Sequence, residues 1–144
     1  MKIPAKIHYA IVIMTDLAMQ GQGVTITGND IARRQNISFA FVAQLLNKLK
    51  HAELLNSVRG GATGGYHFNS PPSEMTVKKI IDAIDPGFCI CPGSEIKTDR
   101  EVDNTIRSFW QQIGKDAAKR FEETTIEDLA RGSKKSKGKE ASCI

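Results

Sequence analysis

The sequence predicts a mainly α fold with one small β-hairpin, and three observations support this prediction. Apolar residues recur every three or four positions through most of the 144-residue chain, which is the helical period. Ser or Thr stands just before several of these periodic segments, where helix N-caps are expected. One glycine-rich stretch, RGGATGGY at residues 59–66, separates two short segments that read as strands, as in a hairpin.

The first half of the chain predicts three helices. A buried helix is expected from Ile7 to Met19, and a short one follows Thr27 as far as about Arg34. Ser38 is a suitable N-cap for a third helix, at about 39–52, after a tight turn. Its inward stripe would comprise Val42, Leu45, Leu46 and Leu49. Two short helices joined by a tight turn predict a helix-turn-helix.

The glycine-rich stretch does not fit a phosphate-binding loop. It lacks the Lys-Ser/Thr pair and the following helix of a Walker loop, and Pro71-Pro72 leaves no room for the helix of a dinucleotide fingerprint. We therefore expect a hairpin between strands at 55–58 and 66–68, with a tip that accepts positive φ angles. A hairpin directly after a helix-turn-helix is the wing of a winged helix, which lies over the DNA backbone or a minor groove.

The second half predicts a short helix, a loop and a long helix. Thr76 caps a helix at about 77–83, and a loop with Cys89 and Cys91 follows. A long helix from about Asp99 to Glu123 has an apolar stripe of Val102, Ile106, Trp110, Ile113, Ala117 and Phe121. A homodimer explains the length of this helix better than burial within one chain. The expected organisation is a winged helix-turn-helix DNA-binding domain (1–85), a cysteine-containing sensor loop (86–98), a dimerisation helix (99–130) and a basic disordered tail (131–144).

Composition and charge limit the function classes. The chain is 40% hydrophobic and 25% charged, and no apolar run approaches the roughly 18 residues needed to cross a bilayer. We expect a cytoplasmic protein without a membrane partner. Residues 1–84 hold nine Lys/Arg against five Asp/Glu, whereas residues 85–130 hold six against ten. This asymmetry favours a front part that binds a polyanion and an acidic part that does not.

A family resemblance rests on specific stretches in this order: MKI, YA, DLA, DIARRQNIS, QLLNKLKHAELL, SVRGGATGGYHF and PPSEMTVKKIIDAID. The chain resembles, over about residues 1–130, the iron–sulfur- and nitric-oxide-responsive winged-helix regulators that include IscR, NsrR and CymR. Its wing is one residue longer than the common RGPGGGY form. The resemblance implies a homodimeric transcription regulator, with repression the expected direction, and not an enzyme.

The residues expected to contact DNA follow from the faces of the third helix. If its inward stripe faces the core, the opposite face points outward and reads bases, while Arg59 enters DNA at the wing. Phe41 is expected to be exposed, the alternative being partial burial against the first helix. Two-fold symmetry predicts an imperfect palindromic operator in double-stranded DNA. The predicted contact residues are Ser38, Ala40, Phe41, Ala43, Gln44, Asn47, Lys48 and Arg59.

The cysteines leave the cofactor open. The resemblance implies three cysteines in the loop of cluster-binding members, whereas this chain has Cys89 and Cys91 there and Cys143 in the tail. His8 falls where nitric-oxide-sensing relatives supply a carboxylate ligand. A 2Fe–2S cluster would then use Cys89, Cys91 and His8, with Glu95, Asp99 or Cys143 as the fourth ligand.

Four alternatives do not require a cluster. The two loop thiols can respond to oxidation directly, or the loop can have no sensory role. The regulator can also bind no cofactor and be controlled by a protein partner. A thiol oxidoreductase is disfavoured because the spacing is C-x-C, not C-x-x-C, and no βαβ pattern is present.

Overall fold

The computed structural model describes residues 2–21, 23–59, 65–90 and 98–139, with side chains as far as Lys135. Within these ranges the fold is six α-helices and one two-stranded antiparallel hairpin, which confirms the predicted fold class. The elements are α1 (Ala5–Met19), α2 (Gly28–Gln35), α3 (Phe39–His51), β1 (Leu55–Val58), β2 (Gly65–Phe68), α4 (Val77–Ile84), α5 (Glu101–Glu123) and α6 (Ile126–Lys139). A short 3₁₀ helix at Pro72–Glu74, not predicted, precedes α4.

The helix-turn-helix forms as its capping residues predict. The Thr27 hydroxyl accepts a hydrogen bond from the backbone N–H of Asp30 at 3.1 Å, and the Ser38 hydroxyl accepts one from Phe41 at 3.2 Å. Between the two helices Asn36 is left-handed, with φ 53°, a conformation that asparagine tolerates. The turn therefore takes three residues, 36–38.

The hairpin is tied to the segment that follows α1. In β1 and β2, Leu55 faces Phe68 and Val58 faces Gly65. Ile26 and Tyr66 exchange backbone hydrogen bonds of 3.0 and 2.8 Å, which adds a third, one-residue strand. The predicted wing tip, residues 60–64, lies outside the described residues.

The hydrophobic core lies between α1, α3 and α4. α1 supplies five buried apolar side chains and lies against α3, α4 and α6. The Thr76 hydroxyl caps α4 by accepting from Lys79. The core members with less than 2% exposure and the largest volumes are Ile7, Ile13, Met14, Ile31, Leu45, Leu46, Leu49, Leu55, Met75, Ile80, Ile126 and Val42.

The C-terminal part follows the prediction for the long helix but not for the tail. The helix predicted from about Asp99 to Glu123 forms as α5 and ends at Glu123, because Thr124 and Thr125 are extended and Thr125 bridges to Thr76. The segment 99–130, predicted as the dimerisation helix, therefore also holds the start of α6. The tail predicted to be disordered from 131 is helical as far as Lys139, and residues 140–144 lie outside the described ranges. Burial explains the error: Ile126 is fully buried and Ala130 is 7% exposed, so α6 has an apolar face that packs on α1.

α5 is described over its full length, and none of its side chains is buried. Ile113, Ala117 and Phe121 are half-buried, whereas Val102, Ile106, Phe109 and Trp110 are exposed to 77%, 49%, 56% and 49%. The N-terminal half of α5 therefore presents a row of large apolar side chains. No helix in the described ranges combines the length and the apolar character that crossing a bilayer requires.

Candidate nucleic-acid interface

α3 has one buried face and one open face. The predicted inward stripe, Val42, Leu45, Leu46 and Leu49, is at most 1% exposed. Around the other side of the helix, Ala40, Gln44, Asn47 and Lys48 are exposed. These four residues carry the amide, ammonium and methyl groups that read base edges and phosphates in a major groove.

Phe41 and Ala43 lie at the boundary between these faces. Both are half-buried, and the Phe41 ring meets the Tyr9 ring of α1 edge to face, with 5.7 Å between the ring centres. The expectation that Phe41 is exposed is wrong, and the alternative, partial burial against the first helix, is what the structure contains. Its T-shaped contact with Tyr9 stabilises the join of α1 and α3.

The N-terminal end of α3 holds a residue that the sequence reasoning omitted. Phe39, at the first helical position, is 52% exposed. The Phe39 ring also packs closely on α2: a Cβ added to Gly28 would lie 3.3 Å from the ring. The sequence position of Phe39 could have identified it, because the first residues of a recognition helix are the ones that contact base edges.

Several exposed basic side chains surround α3. Lys48, Lys50 and His51 occupy its last turn, and Arg59 is exposed directly after β1. Arg33 of α2 is 78% exposed and forms an ion pair of 2.8 Å with Asp30. The hydroxyl of Thr27 and the Arg33 guanidinium lower the pKa of Asp30. Arg33, Lys50 and His51 were not among the predicted contacts, although their positions in a helix-turn-helix give them access to phosphates.

A buried carboxylate joins the helix-turn-helix to α1. Asp16 is 5% exposed, and its oxygens accept hydrogen bonds from Arg34 Nε at 3.1 Å, Arg34 Nη2 at 2.7 Å and Gln35 Nε2 at 2.9 Å. The Asp16 carboxylate raises the pKa of Arg34, chiefly through these hydrogen bonds. The sequence reasoning assigned no role to these three residues.

The predicted metal ligands are only partly described. His8 is exposed on α1, with its ring edge-on to Tyr9, and it lines a groove of about 490 Å³ together with Phe88, the neighbour of Cys89. Cys89 is exposed; Cys91, Glu95 and Cys143 lie outside the described ranges. Among the described residues no three His, Cys, Asp or Glu side chains are grouped to hold a metal ion. Since a 2Fe–2S cluster takes four ligands, the described donors do not by themselves fit one.

Similar proteins place this architecture among transcription regulators. The model of the Rrf2 family, described as iron-dependent transcriptional regulators, matches residues 3–132, from α1 into α6. The regulator CymR of Bacillus subtilis is 36% identical over 132 residues, 90% of this chain and 90% of that protein. The regulator IscR of Aliivibrio salmonicida is 40% identical over 85 residues, 59% of this chain but only 50% of that protein. A solved structure of CymR, titled as the global cysteine regulator of B. subtilis, matches with a TM-score of 0.78 and 33% identity, covering 91% of this chain and 97% of that one.

Proposed function

The chain belongs to the Rrf2 family and is therefore a bacterial DNA-binding transcription regulator and not an enzyme, and we propose that it acts in the cytoplasm as a homodimeric repressor at an imperfect palindromic operator. One observation carries the proposal: the open face of α3 bears polar and basic side chains and is followed by a hairpin with Arg59 at its base. This arrangement suits a recognition helix in the major groove and a wing beside it.

The side chains of α3 divide into base-reading and phosphate-binding groups. Gln44 has the amide geometry for a bidentate contact with adenine, and Ala40 and Phe39 offer apolar surface to thymine methyl groups. Lys48, Asn47 and the Ser38 hydroxyl suit phosphates or base edges. Ala43 and Phe41, being half-buried, contribute only at the edge of this surface.

Arg59 supplies the wing contact. It is exposed directly after the last residue of β1. Arginine binds well in a narrow minor groove, whose negative potential attracts a guanidinium. This contact adds affinity and some selection by groove width, independent of the bases that α3 reads.

Two reading heads require a dimer. The exposed side chains Val102, Ile106, Phe109 and Trp110 on α5 form the apolar row that a second copy would cover. A two-fold axis through paired α5 helices places the α3 helices roughly 34 Å apart or at a multiple of this distance, which calls for two inverted half-sites.

The DNA-binding proposal is tested with a duplex selected from a random library by the wild-type protein. Gln44→Ala should cost about 1–3 kcal/mol of binding and relax the preference at one base pair in each half-site. Arg59→Ala should weaken binding to all duplexes and lower the salt slope by about one per half-site. Gln112→Ala, an exposed change on α5, is the control and should bind like the wild type. Unchanged binding of both test variants would contradict the assigned reading face.

Control by a 2Fe–2S cluster and control without a cofactor make different predictions. The family description favours iron. The cluster that we propose would use Cys89, Cys91 and His8 as ligands, with Glu95, Asp99 or Cys143 as the fourth. The exposure of Cys89 to solvent instead suits a cluster-free regulator. Such a regulator would respond through its thiols or through a protein partner.

An anaerobic purification separates these inputs. A brown protein with equal amounts of iron and acid-labile sulfide, and loss of both in Cys89→Ala, supports the cluster. His8→Ala then reports whether the imidazole is a ligand, and Cys143→Ala whether the tail thiol is. A colourless, iron-free protein whose DNA binding changes on mild oxidation, but not in Cys89→Ala, supports direct thiol control.

A further inference from the structure

We propose that Asp16 is a positioning residue for DNA recognition, because it holds the last turn of α2 on α1 and thereby places the N-terminal end of α3, where bases are read. This inference rests on the proposed DNA-binding function. It concerns a residue that lies on α1, outside the helix-turn-helix itself.

The hydrogen bonds of Asp16 are directional. Arg34 approaches with two nitrogens, at 3.1 and 2.7 Å, so its planar guanidinium is held in a bidentate fork. Gln35 adds a third bond at 2.9 Å to the oxygen that Arg34 Nε also reaches. Because a buried carboxylate is costly unless all its oxygens are paired, Asp16 disfavours any position of α2 that breaks this set.

α2 also packs on α3, where Gly28 lies close to Phe39 and Leu46, but it buries few side chains of its own. It is eight residues long, and its only buried members are Gly28, Ile31 and Ala32. Apolar burial is not directional, so a single Ile and a single Ala leave rotation about the helix axis weakly defined. The pair of donors from Arg34 and Gln35 at the C-terminal end removes this freedom.

The position of the last turn of α2 determines where the N-terminal end of α3 lies, because the connection between the two helices is short. Only Asn36 and Ile37 separate Gln35 from Ser38, and the N–H of Ile37 donates to the carbonyl of Ala32 at 3.0 Å. The buried stripe of α3 begins at Val42; before it, Ile37 and Phe41 are partly buried against the core, whereas Phe39 and Ala40 are exposed. Their placement depends on the turn, and the turn depends on Asp16.

The test compares affinity for the selected duplex with affinity for a scrambled duplex of the same composition. Asp16→Asn should lower this specificity ratio by about tenfold, with affinity for the scrambled duplex unchanged, since the change displaces base contacts and touches no phosphate. Asp30→Asn is the matched control, because it removes the carboxylate paired with the other arginine of α2. Its ratio should remain within about twofold of the wild-type value. Both are measured where circular dichroism shows fully folded protein.

A second selection from the random library distinguishes positioning from general stability. With Asp16→Asn, preferences should relax at the base pairs read by Phe39 and Ala40 and persist at the base pair read by Gln44, which lies beyond Val42. A wild-type specificity ratio in Asp16→Asn would overturn the inference.

Gln35→Ala keeps the test decisive if Asp16→Asn does not fold, because the Arg34 pair stays intact. The specificity ratio of Gln35→Ala should be about threefold below the wild-type value. A wild-type ratio in this variant would also overturn the inference. A wild-type protein that selects no sequence at all would overturn the proposed function instead.

Discussion

Gly65 illustrates how two constraints can meet at one residue. Its φ is +148°, which L side chains rarely adopt, and a Cβ at this position would lie 2.6 Å from the carbonyl oxygen of Ile26. The close approach exists because the neighbouring Tyr66 exchanges two backbone hydrogen bonds with Ile26. A side chain at position 65 therefore strains the backbone and also separates the hairpin from the segment after α1.

We expect Gly65→Ala to lower the free energy of unfolding by about 2 kcal/mol or more. Gly23→Ala is the matched control: φ is +75°, but nothing lies within 4 Å of the added Cβ, so only the backbone strain of about 1 kcal/mol is expected. Urea unfolding without DNA measures both. Equal losses in the two variants would show that the contact with Ile26 does not matter.

Helical periodicity predicted which residues of α3 are buried, but not what its boundary residues touch. The stripe at Val42, Leu45, Leu46 and Leu49 follows from spacing alone. Phe41 sits next to this stripe, and its burial depends on Tyr9, which lies thirty-two positions earlier in the chain. Asp16 is the same case, since its partners Arg34 and Gln35 are distant in sequence. Contacts between helices cannot be derived from the period of one helix.

At the scale of the elements, one capping signal was overlooked. Thr125 and Asp128 form a reciprocal capping box, in which the Thr125 N–H donates to the Asp128 carboxylate at 3.0 Å and the Asp128 N–H donates to the Thr125 hydroxyl at 3.1 Å. The same Thr-x-x-Asp pattern at Thr27 was read correctly. At Thr125 the lysine-rich composition after residue 131 predicted disorder instead of a helix. The helical pattern is weak there, because α6 has only three apolar residues, Ile126, Leu129 and Ala130.

Ile126→Ala tests whether α6 belongs to the core. Ile126 is fully buried and its N–H donates to the Met75 carbonyl at 2.8 Å, so truncation should destabilise the fold by about 2–5 kcal/mol. Leu129→Ala, three residues later and only half-buried, should cost clearly less. The measurement is urea unfolding followed by circular dichroism. A loss at Ile126 no larger than that at Leu129 would mean that α6 is not packed as described.

At the scale of the whole molecule, the front and rear parts share a core. The N–H of Val77 donates to the carbonyl of Thr124, and α6 packs on α1, so the C-terminal helices close onto the domain that holds the helix-turn-helix. The winged-helix order was predictable because each element has local signals. The packing of α6 on α1 could not be predicted, since it depends on a surface of α1 that only the folded chain presents.

The exposed row on α5 gives the prediction for assembly. Trp110→Ser should raise the dimer dissociation constant by at least about tenfold, because the largest side chain of the row is lost from the proposed apolar contact. Lys115→Ser, an exposed polar position on the same helix, should leave it unchanged. Analytical ultracentrifugation over a concentration series measures both. A wild-type protein that stays monomeric throughout would refute pairing through α5.

The bridge between Ile26 and Tyr66 has a mechanical consequence. A two-stranded ribbon alone would swing about its base and absorb a load at its tip, whereas this one is braced from the side by the loop leaving α1. In the proposed complex, a duplex in contact with the hairpin would load this brace, and the brace would pass the load to α1. A stiff hairpin would then favour a bent binding site, and the cost of bending would depend on the DNA sequence.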